Sequence, residues 1–386
     1  MTTLEKSSLE KNNLTIGIMP LLDSAPIVWA WHRGFFSDFG LDVELIREVS
    51  WASLRDRLAY EALDAAQCLA PMILAANLGA DQVGVPFVSA LTLSENWSAI
   101  TLAQPLAIKL GISPHMSPTE SAQCLVSYLK SGKRLKLAHV FQFSMHNYLL
   151  HEWLSLAGVT QDVANLEFQT VTPAKMLDRL QIHAIDGFCV GEPWNTVAAS
   201  QGIGTVVTNA HALCPYGADK VVGVTRKWAT QHPQTHRAMI TAIMQAQQEL
   251  ATGKHYGELV KVMDELGILK LPESWLSAAL EGASTGKPAP FLSGLQARPR
   301  ANDYAWVALQ MLRWGQWKKP VQVATLAAQN CDLACFDAAY QALNPQYDQL
   351  QLHPSLQPDY LDSRIASHYL LEKGLDSEQV QQLVQA

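Results

Sequence analysis

Residues Leu14–Arg47 read LTIGIMPLLDSAPIVWAWHRGFFSDFGLDVELIR. Leu14–Met19 is a short, partly β-branched apolar run closed by Pro20, the pattern of a buried strand. After the loop Leu21–Ala25, Pro26 stands near the first turn of an amphipathic helix that reaches Phe36. Gly40 breaks the helical pattern, and Leu41–Arg47 alternates apolar and polar residues as a half-buried strand does. Strand, helix and strand in this order form a βαβ unit of a mostly parallel α/β sheet. Ser50 is placed to cap the next helix, Trp51–Tyr60, and strands are expected at Val83–Val88 and Ser98–Ala103.

The alternation restarts after the polar stretch Ser113–Thr119. Leu135–Val140 reads as a strand, and Ser144 caps a long helix from Met145 to Leu156 that Gly158 ends. Leu166–Val171 is a strand, Thr172–Pro173 opens the helix Ala174–Gln181, and Ala184–Val190 is a strand leading into Gly-Glu-Pro-Trp-Asn. Thr205–Val207 completes this set. From Asp219 a strand returns, followed by the helix Gln234–Thr252 and a mainly helical remainder with a Gly/Pro loop at Gly286–Pro290. The apolar stripe Trp306, Leu309, Leu312 has helical spacing and reads as core. The expected organisation is α/β and bilobal, with a hinge between two Rossmann-like lobes. Lobe 1 takes residues 13–104 and 214–386, including a helical C-terminal extension, and lobe 2 takes 105–213. Ligands of such folds sit in the cleft, at loops leaving the C-terminal ends of strands.

Composition narrows the function classes. The chain has 386 residues, 48% of them apolar and 16% charged, enough for a sizeable core. Its 28 basic and 35 acidic residues leave a net charge of −7, which argues against direct nucleic-acid binding; the one basic cluster, Lys130–Lys136, reads as a solvated loop. The first residues, MTTLEKSSLEKNN, lack a signal-peptide apolar region, and no run approaches a membrane span. A cytoplasmic protein with no membrane partner is expected. The six cysteines are scattered, and the C-x3-C pair Cys331/Cys335 finds no second cluster to complete a zinc site. Reduced thiols and no metal are expected.

Of the conventional catalytic signatures, a G-x-G-x-x-G after a strand, a Walker A loop and H-E-x-x-H are missing. His146 and His151 are five apart and share no helix face. What stands out instead are groups at strand-end loops. Trp51 opens a helix. His146 lies at a helix N-terminus, where backbone N–H groups and the helix dipole favour an anion. Glu192, Pro193 and Trp194 follow a strand, and Lys220 stands at the edge of another. Trp51 and Trp194 also fit as ordinary buried aromatics, and His146 as a helix-surface histidine.

Several segments resemble the nitrate- and bicarbonate-binding receptors of cyanobacterial transporters, the NrtA/CmpA branch of the periplasmic binding proteins. They are LTIGIMPLLDSAPIVWAWHRGFF, SWASLRDRLAYEALDAAQCLAPM, SAIT, SMHNYLLHEWLSLAG and the unusual DGFCVGEPWN. The likeness runs from Leu14 to about Leu250. It implies the bilobal periplasmic-binding-protein fold of type 2 and no enzymatic activity or cofactor. It also implies a nitrate pocket on Trp51, His146, Pro173 and Lys220. Ser98 stands where the nitrate receptors carry a glutamine, and Glu192 joins the candidate ligand set from the Gly-Glu-Pro-Trp loop. In the bicarbonate branch an acidic residue replaces the lysine and calcium assists, so Lys220 favours a monoanion held without metal. Buried without an anion, Lys220 would lose its proton readily, so the empty cleft is expected to be wet or open.

Within this family the chain resembles the cytoplasmic nitrate/nitrite sensors of bacterial nitrate assimilation, the NasS type. That resemblance implies a protein partner, an RNA-binding antiterminator with an ANTAR domain (NasT-like), held without nitrate and released with it. The alternative is a substrate-binding or regulatory component of a nitrate ABC transporter. An enzyme reading, the thiamin-pyrimidine synthases of the same architecture, requires a cysteine cluster that Cys331 and Cys335 match poorly.

Overall fold

Ten strands form two five-stranded sheets in the computed structural model, which describes residues 8–346 except 96, 160–162, 164, 215–216, 320, 322 and the side chains of 323, 324 and 327. In chain order they are β1 (Asn13–Ile18), β2 (Asp42–Arg47), β3 (Ala65–Leu69), β4 (Phe87–Glu95), β5 (Ser98–Ala103), β6 (Leu135–His139), β7 (Leu166–Thr170), β8 (Gly187–Gly191), β9 (Gly204–Asn209) and β10 (Ala218–Thr225). The first sheet runs β2-β1-β3-β10-β4 and the second β7-β6-β8-β5-β9. The βαβ unit is as expected, with β1 and β2 paired in parallel from Asn13/Asp42 to Ile18/Arg47. The intervening helix is interrupted: Ala25–His32 and Phe35–Asp38 are separated at Gly34, whose φ of 73° only glycine adopts freely.

The sheets are mixed rather than mostly parallel. β10 runs antiparallel to β3 and β4, and β5 runs antiparallel to β8 and β9. These are the two strands that enter each sheet directly from the other one. Each starts at the cleft, where the parallel strands end, and so runs the opposite way. β5 therefore belongs to the second lobe, and the first crossing falls between Glu95 and Ser98 instead of after residue 104. The strand expected at Val83–Val88 lies instead at Phe87–Glu95. Gly84 turns at φ 77° and Pro86 has no N–H to give a ladder, so pairing begins only beyond them.

Helices cover both sheets. Ser50 and Ser144 cap as expected, accepting from the Ser53 and Asn147 amides at 3.1 Å each. The helix Pro233–Leu250 packs on the first lobe. The helix Ala301–Arg313 buries Trp306 and Leu309, with Leu312 half-buried. This helix braces both lobes: it packs on the helix Ala70–Leu78 of the first, and its Arg313 ion-pairs Glu152 of the second at 2.7 Å. The C-terminal region is thus not an appendage of lobe 1 alone. The expected helical tail beyond residue 346 lies outside the described residues. None of the six cysteines is in a disulfide, and no described helix is long and apolar enough to cross a membrane.

Candidate functional site

The cleft ends of the sheets meet at Lys220. β10 enters the first sheet there with a bulge: Ala218 pairs with Glu95 and Lys220 with Ser94, leaving Asp219 as the extra residue. A bulge breaks the strict alternation of side chains along a strand. Neighbouring residues that would otherwise face opposite ways are brought together, and Lys220 Nζ lies 2.9 Å from its neighbour's Oδ1. Asp23, from the 3-10 turn Leu22–Ser24 after β1, approaches from the other side at 3.3 Å. Its second oxygen accepts from Ser94 Oγ at the end of β4. All three charged groups are fully buried.

Burial pulls the Lys220 ammonium down, but the two carboxylates outweigh it and hold the group above its ordinary value. The two carboxylates therefore compensate the ammonium within the protein, which corrects the expectation that a buried Lys220 needs a bound anion to keep its charge. The carboxylates lie at ion-pair distance, but neither is aligned as a hydrogen bond, and Lys220 Nζ remains without a hydrogen-bond partner. Burial pushes the Asp23 carboxyl up to about 6, against the pull of Lys220.

The second lobe closes this floor. His146, second residue of its capped helix, lies with Nε2 3.9 Å from Asp219 Oδ2. Burial drives its pKa down to about 3, so the ring is neutral at pH 7, and both ring nitrogens lack partners. Ser98 opens β5 in register with Gly191 at the end of β8, placing it beside the cluster. The helix Trp51–Ala59 packs on β10 from the first lobe, with Trp51 buried and its indole N–H unpaired. One turn on, the Arg55 guanidinium lies over the Phe141 ring of the second lobe at 5.6 Å.

Two further predicted residues follow β7 and β8. Pro173 is buried and opens a turn at the C-terminal end of the edge strand β7, which runs parallel to β6 as β6 does to β8. Glu192 is fully buried and acts as a latch: its carbonyl accepts from the Leu22 amide across the lobes at 2.9 Å. Its carboxylate accepts from the Thr196 amide at 3.2 Å, on the helix Trp194–Ser200. Beside it the Trp194 indole donates to the Pro20 carbonyl at 3.3 Å. Burial raises Glu192 to about 7. Asp23 and Asp219 complete the Lys220 cluster, and sequence reasoning singled out neither.

Gly191 sets how closely the lobes meet. A Cβ there would lie 2.7 Å from Asp23 Oδ2 and 3.6 Å from Lys220 Nζ. Gly191→Ala is expected to hold the lobes apart and weaken ligand binding at least about tenfold, ~1.4 kcal/mol. Titration calorimetry reads the affinity and small-angle scattering the wider solution shape; wild-type values in both would show that the contact does not limit closure.

Residues 7–263 match the model of the NMT1-like family. The chain belongs to that family. It is similar to the bicarbonate transport ATP-binding protein CmpC of Synechocystis, 33% identical over 89% of this chain and 52% of that one. The chain thus spans about half the length of that relative. It is also similar to the bicarbonate-binding protein CmpA of Synechococcus elongatus, at 27% identity over 85% of this chain and 76% of that one. The crystal structure of the periplasmic nitrate-binding protein NrtA from Synechocystis superposes with a TM-score of 0.82 at 22% identity, covering 94% of this chain and all of that one. The NMT1-like chain accordingly has the bilobal periplasmic-binding-protein fold, and CmpA and NrtA are binding proteins by name.

Proposed function

We propose that this chain is a receptor for a small inorganic monoanion, nitrate first, held between the lobes by Trp51, His146 and Lys220. The observation that carries the reading is a group of buried donors without hydrogen-bond partners: Trp51 Nε1, the single N–H of the neutral His146 ring and Lys220 Nζ. A buried donor left unpaired costs about 1–3 kcal/mol, so this constellation suits a guest that accepts hydrogen bonds. Nitrate offers three acceptor oxygens and no donor, and it leaves water more easily than carboxylate or phosphate does. The nitrate and bicarbonate named for CmpA and NrtA support the same ligand class.

Bicarbonate is the second reading, favoured by one specific observation. Both Asp219 carboxylate oxygens lack hydrogen-bond partners, and bicarbonate alone of the two ions brings an O–H to donate. Titration with nitrate, nitrite, chloride and bicarbonate, with and without calcium, separates them. At 1,000-fold excess over the dissociation constant, linkage adds ~4 kcal/mol, a rise in Tm of roughly 5 °C for two-state unfolding at this length. Trp51→Phe keeps the packed ring but removes the N–H, and is expected to weaken binding about tenfold with little change in Tm without ligand. A full response in Trp51→Phe would remove Trp51 from the site.

For the use of the bound anion, the reading is a cytoplasmic sensor that holds an ANTAR-domain antiterminator without nitrate and releases it with nitrate. Support comes from the sequence resemblance to such sensors. The relatives' names belong to transport, so the competing use is a binding or regulatory component of an anion importer. ATP binding does not come with it, because this chain has no G-x-x-x-x-G-K-[ST] loop. Under the sensor reading, nitrate and the antiterminator weaken each other's binding by the same factor. A complex that survives saturating nitrate would sink it.

A further inference from the structure

We propose that His236, Asp332 and Cys335 form a binding site for a borderline-soft divalent transition metal, zinc first. The site lies away from the anion cleft and clips the helix Leu333–Leu343 to the first lobe. One ligand atom from each residue falls within 4.8 Å of the other two. His236 Nδ1 lies 3.5 Å from Asp332 Oδ2. Two ligands of one tetrahedral zinc, with bonds of ~2.0–2.3 Å, sit ~3.3–3.6 Å apart. The imidazole–carboxylate pair already has that spacing, and the thiol has about 1 Å to close. His236 is only 1% exposed, and its Nε2 has no hydrogen-bond partner.

The backbone around the trio is well tied. Cys331 bridges to Ser89 in β4, and the Asp332 amide donates to the Ser89 carbonyl at 2.8 Å. Asp332 Oδ1 accepts from the Cys335 amide at 3.0 Å and caps the helix Leu333–Leu343, leaving Oδ2 toward His236. His236 comes from the first turn of the helix Pro233–Leu250, which is held there by the edge of the Trp228 ring. Ser89 pairs with Gly223, toward the far end of β4 and β10 from Ser94 and Lys220, so the trio sits at the opposite end of the sheet from the cleft. Thiolate, imidazole and carboxylate together select zinc, cobalt or nickel over magnesium or calcium, which prefer oxygen. Two anionic ligands balance the dication. Three protein ligands leave a fourth position for water.

The C-x3-C pair finds no zinc partners in the sequence because they are not a second cysteine pair. One is a histidine almost a hundred residues upstream, and the other is the aspartate between the two cysteines.

The test uses the full chain, tag-free, reduced and stripped of metal. Cobalt titration is expected to give the near-ultraviolet thiolate-to-metal absorption band and visible bands of tetrahedral intensity, and elemental analysis after zinc loading close to one zinc per chain. Cys335→Ser is expected to abolish the thiolate band, and His236→Gln and Asp332→Asn to weaken zinc binding by at least about tenfold. Asp332→Asn retains a capping side chain, so its effect does not depend on losing the helix start. Cys331→Ser is expected to bind as wild type does. The absence of a thiolate band in wild type, or a band equally strong in Cys335→Ser, would overturn the proposal. Anion titration of Cys335→Ser is expected to match wild type, which keeps this test independent of the cleft reading.

Discussion

Lys220→Met is expected to lower stability by about 3–5 kcal/mol, because it removes the one cation between two buried carboxylates and leaves uncompensated charge behind. The geometry is unforgiving: Asp219 and Asp23 lie 2.9 and 3.3 Å from Nζ, and every group is inaccessible to water. For 386 residues that energy corresponds to a fall in Tm of roughly 4–6 °C under two-state unfolding. The anion response is expected to vanish with the same substitution, so a single variant confuses loss of ligand with loss of fold. The triple variant Asp23→Asn, Asp219→Asn, Lys220→Met separates them. It carries no buried charge at the cluster, and replacing a whole ion cluster by neutral groups is often close to neutral in stability. Recovered Tm without recovered anion binding is the expected pattern. A Lys220→Met variant melting within 1 °C of wild type would mean that the carboxylates neutralise themselves and that Lys220 is no keystone.

The cluster also shows what could be read from the chain and what could not. Local signals were legible: Ser50 and Ser144 cap their helices, and Leu14–Arg47 builds its parallel pair, because spacing and capping depend on near neighbours. Lys220 and His146 were legible as strand-end and helix-start groups, and they do come together. Asp219 was not, since strict alternation sends it to the far face and only the bulge opposite Glu95 and Ser94 returns it. Asp23 sits in the single 3-10 turn Leu22–Ser24, too short for any periodicity to mark a side chain as buried. The direction of β5 and β10 depends on the chain crossing twice between lobes, a fact that lies in the topology and in no short window of sequence. Pro173 was carried over by resemblance alone, and it opens the turn that follows β7.

Acidification is expected to move stability and anion affinity in opposite directions. Burial holds His139 near 4, and His146 and His151 near 3, so all three are neutral in the folded protein at pH 7. In the unfolded chain they take up protons below about 6.5. Their contribution is therefore present above pH 6.5 and lost as pH falls. Asp23 at about 6 and Glu192 at about 7 act the other way, since the folded state keeps protons that the unfolded chain releases above pH 4–5. Three histidines against two carboxyls leave a net excess of about one proton on the unfolded chain between pH 4.5 and 6. Stability is expected to drop by ~1.4 kcal/mol per pH unit there and to level off near pH 7. For the anion the sign reverses. With both aspartates ionised the Asp23–Lys220–Asp219 cluster carries one net negative charge, and protonating Asp23 removes it. Affinity is expected to rise as pH falls from 8 toward 6, by up to about tenfold per unit, with proton uptake visible in calorimetry as a dependence on buffer ionisation heat. Asp23→Asn is expected to flatten that dependence while keeping the anion bound. If affinity instead falls steadily on acidification and Asp23→Asn changes nothing, the proton does not travel with the anion and Lys220 alone faces the ligand.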